Sequence, residues 1–441
     1  MVFSSGVFLF LFLPGLLIMY YSVKSRTLRN YILLITSLLF YAWGEPVFVF
    51  IMLASIFINW KAALIMSSSS RPKFWLIIAI AFDVLLLGVF KYAGFISENI
   101  GMTRINIALP IGISFFTFQM MSYIFDVYYG KSRAQKNLSY VALYISFFPQ
   151  LIAGPIVRYN QIEAEITDRH ENFDDFAEGV RRFIYGLGKK VLIANFVGQI
   201  ADNTFAGAVS MSVMMSWLGA IAYTFQIYFD FSGYSDMAIG LGLMFGFHFE
   251  ENFNYPYMSA SISEFWHRWH ISLSRWFRDY VYIPLGGSRV SRSRWLMNIF
   301  VVWLFTGIWH GANWTFILWG LLYFVLLVFE RATGIKPGHI CTMIIVVIAW
   351  VIFRAESVSE GLSYIASMFG LNGNALYDGG FIEYIKGSWI VLLAALTGIF
   401  PAVNIIRRNG LIEMLYLCFI FVLSICEITA SSYNPFIYFN F

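Results

Sequence analysis

Two stretches of this chain set titratable side chains among apolar neighbours. "TGIWHGANWTFILWG" covers residues 306–320 and places His310 near the middle of an apolar run of roughly 297–329. An imidazole at membrane depth is costly unless it has polar partners or water, so a histidine there is a functional candidate. Imidazole titrates near neutrality and can take the proton of an attacking hydroxyl. "WHRWH" holds His267 and His270, three apart, so both could share one side of a helix; one is expected to face the interior and the other the interface. No acidic residue completes an H-E-x-x-H pattern and no Cys/His cluster adds ligands, so a metal site is not expected. Asp230 and Asp236 lie in "QIYFDFSGYSDMAIGLG", where Ser232, Gly233 and Ser235 suggest close helix packing or a local break. They read as structural carboxylates bonded to arginines such as those at 268–278. "GLGLMFG" at 240–246 does not fit G-x-G-x-x-G, and there is no G-x-S-x-G, Walker A or cysteine-nucleophile motif.

These groups must be carried by elements that lie in lipid. The 441 residues are 59% hydrophobic and only 12% charged, against about 25% charged for a soluble domain. Runs of crossing length fall at roughly 7–22, 30–43 with 47–66, 74–96, 107–128, 138–156, 183–201, 211–247, 297–329, 340–353, 388–405 and 411–427. The first reads as a retained span rather than a signal peptide. The runs 211–247 and 297–329 are each long enough for two passes or a re-entrant pair. The expected fold is an all-α polytopic membrane protein with about 11 transmembrane helices. Nucleic acid is not an expected partner.

Basic residues gather at Lys24, Arg26 and Arg29, at Arg71 and Lys73, at Lys131, Arg133 and Lys136, and at Arg181, Arg182, Lys189 and Lys190. Arg331 with Lys336 and Arg407 with Arg408 continue the series. Positive loops in the cytoplasm would put both termini outside, which requires an even number of spans. The run 297–329 then enters and returns, with Gly307, His310 and Gly311 beside a break. Pro149, Gly154 and Pro155 break a second run, "SFFPQLIAGPIVRY" at 146–159. Broken helices at depth belong against protein or a water-filled cavity. Between them, residues 248–295 carry six arginines among aromatics. That is the composition of interfacial helices, with Ser261 or Ser263 as a helix cap near Glu264. Asn172 is expected to cap a helix whose first turn is acidic. The chain reads as one membrane domain, 1–441.

"YFDFSGYSDMAIGLGLMFGF" (228–247), "NFNYPYMSASISEFWHRWHISLSRWFRDYVYIPLGG" (252–287), "TGIWHGANWTFILWG", "FFPQLIAGPIVRY" and "PFIYFNF" (435–441) occur in order. Together they resemble the membrane-bound O-acyltransferase family, and within it the alginate O-acetyltransferase branch, most densely over about 110–355. The resemblance implies a ring of transmembrane helices around a central tunnel, with the family's hallmark histidine at His310 and a second at His270. Trp309, Asn313, Asp230, Asp236, Trp266 and Arg278 would line the tunnel or contact substrate. The implied activity moves an acetyl group from a cytosolic thioester, acetyl-CoA or another acyl thioester, outward for O-acetylation of an extracytoplasmic or cell-wall polysaccharide. No bound cofactor or metal is implied. The implied partner is an extracytoplasmic O-acetyltransferase with a Ser-His-Asp site (SGNH type), and the implied location is the bacterial cytoplasmic membrane. The arginines of 268–278 could draw in the phosphates of a CoA-type donor or anchor to anionic headgroups. Two rival readings are D-alanyl transfer to teichoic acid from a carrier protein, and a proton-coupled glycan or lipid transporter using His310 and Asp230.

Overall fold

The computed structural model describes residues 1–207, 211–407 and 409–437, and the regular elements among them are all helices. Arg408 and the last four residues of the 435–441 motif lie outside the described residues. The chain forms two compact units, Met1–Phe183 with Tyr234–Glu251, and Ile184–Gly233 with Asn252–Phe441.

The principal helices are α1 (Phe8–Tyr21), α2 (Arg26–Ala42), α3 (Phe48–Ser68), α4 (Pro72–Asn99), α5 (Ile113–Tyr128), α6 (Leu138–Ser146), α7 (Tyr159–Thr167), α8 (Phe173–Gly188), α9 (Asn195–Phe205) and α10 (Val213–Met244). After them come α11 (Ile262–Arg268), α12 (Ile271–Phe277), α13 (Arg292–His310), α14 (Trp314–Thr333), α15 (Gly338–Arg354), α16 (Val358–Met368), α17 (Gly379–Gly398) and α18 (Gly410–Ala430). Five of these, α3, α4, α14, α17 and α18, are long and apolar enough to cross a membrane. Helices α1 and α15 are apolar but shorter.

The two longest apolar runs resolve differently. Residues 297–329 fold as an antiparallel pair, α13 and α14, broken at 311–313 as expected. Residues 211–247 do not fold as a pair: α10 is one helix of 32 residues. Its glycines serve close approach rather than a break. A Cβ on Gly233 would lie 2.8 Å from Gly186 O, and one on Gly240 would lie 2.5 Å from Gly179 O. The 146–159 run is broken, with a single turn at Phe148–Leu151 between α6 and α7.

In the first unit a knot of charge is packed against aromatic rings. Arg26 and Arg29 both pair with Glu171, and buried Arg169 donates to Phe245 O (3.0 Å) and to Asn30 Oδ1 (2.7 Å). Hydrogen bonds from Arg26 and Tyr20 outweigh partial burial and hold the Glu171 carboxyl down at about 2. Asn172 caps α8 as expected, its Oδ1 accepting Asp175 N–H at 2.8 Å, with Asp174 and Asp175 in the first turn. The exposed ring of His248 sits between Glu165 Oε1 (2.9 Å) and Asp175 Oδ2 (3.1 Å).

Candidate functional site

The second unit holds both histidines of interest. The stretch that carries His267 and His270 begins at α11, whose start is built by three side chains. Ser261 Oγ accepts Glu264 N–H at 3.2 Å as the helix cap, and Glu264 Oε2 accepts the N–H of Ala260, one residue before it, at 2.9 Å. Glu330, near the end of α14, accepts Ile262 N–H at 2.8 Å and so ties α11 to the hairpin. The helix stops at Trp269 because the next residue, His270, takes φ +42° and ψ +54°. That is the left-handed region, which costs a non-glycine residue about 1–3 kcal/mol and persists only where the surroundings impose it. Here they do: Asn252 O accepts Ile271 N–H at 2.9 Å and Arg268 O accepts Asn254 N–H at 2.9 Å, fixing the backbone on both sides of the bend.

The bend separates the two histidines of "WHRWH", which therefore do not share a helix face. His267 is exposed, with Nδ1 2.6 Å from Ser263 O; His270 is buried. One faces in and one faces out, as expected, but by way of a kink rather than one amphipathic helix. His270 Nδ1 lies 3.1 Å from Asn252 Oδ1, and the Phe231 ring stands perpendicular to the imidazole with centroids 4.7 Å apart. Burial pushes its pKa down to about 3, so this imidazole is neutral at physiological pH.

His310 is the last residue of α13 and is 3% exposed. Glycines set the approach of the two hairpin helices. A Cβ on Gly307 would come 2.5 Å from Phe316 O, and one on Gly320 would come 2.5 Å from Trp303 O. Gly311, next to His310, is extended, and a Cβ there would meet the Phe316 ring at 2.2 Å. Asn313 then caps α14, accepting Thr315 N–H at 3.1 Å and donating to Glu356 O at 2.8 Å.

Rings wall the His310 imidazole. Trp309, Trp319 and Phe353 stand at 4.9, 5.1 and 5.1 Å from its centroid, all close to perpendicular. Trp309 also lies 5.9 Å from the His270 ring, so one indole neighbours both imidazoles. Trp266 joins through Trp319 at 5.5 Å and packs on Trp303 and Tyr323, both at 4.8 Å. The result is a buried aromatic enclosure with two titratable rings, suited to proton transfer away from bulk solvent.

The remaining sequence candidates are placed elsewhere. Asp230 is bonded to Lys190 at 2.7 Å, both side chains no more than 3% exposed, and not to the arginines of 268–278. Lys190 is thus a core residue and not a loop charge. Asp236 belongs to the first unit, where Arg182 holds it at 2.9 Å. α10 presents these carboxylates to α8 and the segment after it, while Arg268 and Arg278 pair locally with Glu264 (2.8 Å) and Asp279 (2.7 Å). Arg278 is exposed. Asn313 acts as a cap. Sequence reading did not single out Trp319, Phe353 or Asn252. Trp319 lay within the quoted "TGIWHGANWTFILWG", nine residues after His310, but only the hairpin's return brings it back.

Comparison with known proteins gives a consistent picture. Residues 132–336, which include both histidines, match the model of the membrane-bound O-acyltransferase family. A probable alginate O-acetylase, AlgI, of Pseudomonas aeruginosa is 46% identical over 84% of this chain and 75% of its own length. The corresponding protein of Pseudomonas putida is 39% identical, with both chains covered in full. A peptidoglycan O-acetyltransferase of Helicobacter pylori is 36% identical over 85% of this chain and 81% of its own.

Proposed function

The chain belongs to the membrane-bound O-acyltransferase family, a multi-pass membrane acyltransferase, and on that premise we propose that it carries acetyl groups from a cytosolic thioester to a polysaccharide outside the cell membrane. The relatives named as alginate O-acetylases and as a peptidoglycan O-acetyltransferase support both the acetyl group and a polymer acceptor. Membership of an acyltransferase family removes the transporter reading.

The observation that carries the chemistry is the pair of buried imidazoles that share Trp309 as a neighbour, with His310 at the break between α13 and α14. In the proposed reaction a hydroxyl oxygen attacks the thioester carbonyl while His310 takes its proton. The C–S bond breaks, the new C–O bond completes the ester, and the proton passes to the departing thiolate. Thioester to oxygen ester is not an uphill exchange, so no nucleotide hydrolysis is required. General-base assistance of this kind supplies about 10²–10⁴-fold. His270 orients the reacting groups. Acetyl-CoA is the donor, and Arg268, Arg275 and Arg278 attract its phosphates on the cytoplasmic side. An even number of helices near 11 rings a tunnel in the bacterial cytoplasmic membrane, with both termini outside. The attacking hydroxyl is the serine of a separate extracytoplasmic Ser-His-Asp transferase, whose acetyl ester is then cleaved by a polymer hydroxyl that takes the acetyl group and returns the proton to the serine.

Donor use tests this reading. Purified protein in proteoliposomes is given acetyl-labelled CoA or an acetylated carrier protein, and label leaving the thioester is followed. Loss of label from acetyl-CoA in the presence of acceptor is expected. Turnover from the carrier alone, or from a D-alanyl carrier alone, would overturn the donor assignment.

A further inference from the structure

We infer that Asn252 is a positioning residue that fixes His270 in one tautomer, with the proton on Nδ1 and Nε2 presented as a hydrogen-bond acceptor. The inference rests on the proposed acyl transfer for its functional consequence, but its structural part stands alone.

The Asn252 amide is fully buried. Which of its two ends is oxygen is normally ambiguous and must be decided from partners. Here a backbone decides it. Ser272 N–H points at the Asn252 side chain at 3.2 Å, and a backbone N–H can only donate. The atom facing it is therefore Oδ1; a flipped amide would set N–H₂ against N–H. The hydroxyl of Ser272 donates to the same oxygen at 2.8 Å. His270 Nδ1 lies 3.1 Å from that oxygen, which has only lone pairs to offer. A bare Nδ1 would put lone pair against lone pair, so Nδ1 carries the hydrogen. Burial keeps the ring neutral. A neutral imidazole has one N–H, so Nε2 has none.

This settles what His270 can do. With Nε2 bare it cannot donate a hydrogen bond to a developing oxyanion through that atom. It can receive one, and so can hold the hydroxyl of the acceptor or take a proton in turn with His310. The left-handed backbone at His270 and the bond from Ile271 N–H to Asn252 O give the same partner control of the main chain. One asparagine thereby sets both the bend and the tautomer. The arrangement parallels the way a buried acceptor elsewhere fixes a catalytic imidazole, where losing it costs far more than a hydrogen bond.

The test uses the full chain, ¹⁵N-labelled at histidine, in lipid bilayers, with the His270 signals assigned by their loss in His270→Gln. In the wild type Nδ1 is expected at the shift of a protonated ring nitrogen and Nε2 at that of a bare one. Asn252→Leu is expected to move the proton toward Nε2 and to lower acetyl turnover about 10–100-fold. Asn252→Asp keeps the acceptor; it is expected to keep the tautomer, to recover turnover relative to Asn252→Leu, and to shift the acid limb of the pH profile. A protonated Nε2 in the wild type, or an unchanged tautomer in Asn252→Leu, would overturn the assignment. If the tautomers behave as stated while His270→Gln turns over like the wild type, the role of Asn252 in the reaction falls. A wild type that never turns over acetyl-CoA, with the tautomers as stated, counts against the donor reading and leaves the assignment of Asn252 supported.

Discussion

At the scale of single residues, what matters is how each imidazole is partnered. His310 is enclosed by rings, His270 is held by an amide, and His248 is clamped by two carboxylates. The last of these gives a pH prediction. Ionised carboxylates only accept, so bonds from both His248 nitrogens to Glu165 and Asp175 require the doubly protonated ring. Partial burial alone would lower its pKa; hydrogen bonds to Glu165 and then Asp175 outweigh it and raise the pKa above the ordinary 6.5. A raised folded pKa means the clasp contributes fully below the unfolded value and is lost as pH rises through the folded one. Melting temperature in detergent is therefore expected to fall between mildly acid and alkaline pH, and His248→Gln to flatten that fall; an unchanged slope in the variant would contradict it. The sequence singled out His310 because a titratable side chain stands out in an apolar run, and His270 through its place in "WHRWH". It did not reveal Asn252, whose role depends on a bend that brings residues 252 and 270 together. Nor did it reveal the partners of Asp230 and Asp236, since any nearby cation would have served.

At the scale of elements, the α13–α14 hairpin is the part on which the site depends. Its turn puts His310 at a helix end, and its glycines let the backbones touch. Gly307→Ala and Gly320→Ala each drive a Cβ to 2.5 Å from backbone oxygen of the facing helix, with no flexible side chain to yield. Overpacking of this kind costs about 1–3 kcal/mol. Each variant is expected to lower the melting temperature, measured by tryptophan fluorescence, and to reduce turnover by displacing the His310 wall. Alanine on the open face at Gly15, where nothing lies within 4 Å, is the control expected to change neither. The hairpin was legible: two basic ends around one long apolar run demanded a return. The single α10 was not, because glycine and serine that pack helices closely carry the same signature as those that break them.

At the scale of the molecule, long-range ties close the second unit. Lys190 and Asp230 form a buried pair, Lys190 also donates to Asn195 Oδ1 at 2.9 Å and to Pro435 O, and Asp230 Oδ2 accepts Ile437 N–H at 2.8 Å. Tyr433 OH donates to Asp202 at 2.5 Å. The segment 433–437 is thus fastened to α9 and α10 through charges that no sequence pattern paired. Removing one member of a buried pair typically costs about 3–5 kcal/mol, because the other charge is stranded. Asp230→Ala is expected to lower the melting temperature sharply, and Lys190→Met with Asp230→Leu to recover most of the loss; a double variant as unstable as the single one would show that the charges themselves are not the issue. The apolar composition made a helical membrane protein legible from the start, and five helices are both long and apolar enough for crossing. In the proposed reaction His310 takes the acceptor's proton during acetyl transfer. The most direct measurement is single-turnover transfer from acetyl-labelled CoA in proteoliposomes, comparing the wild type with folded His310→Ala. If His310 is the base, the variant loses about 10²–10⁴-fold in rate with donor binding retained; equal rates in the two proteins would remove His310 from the proton transfer.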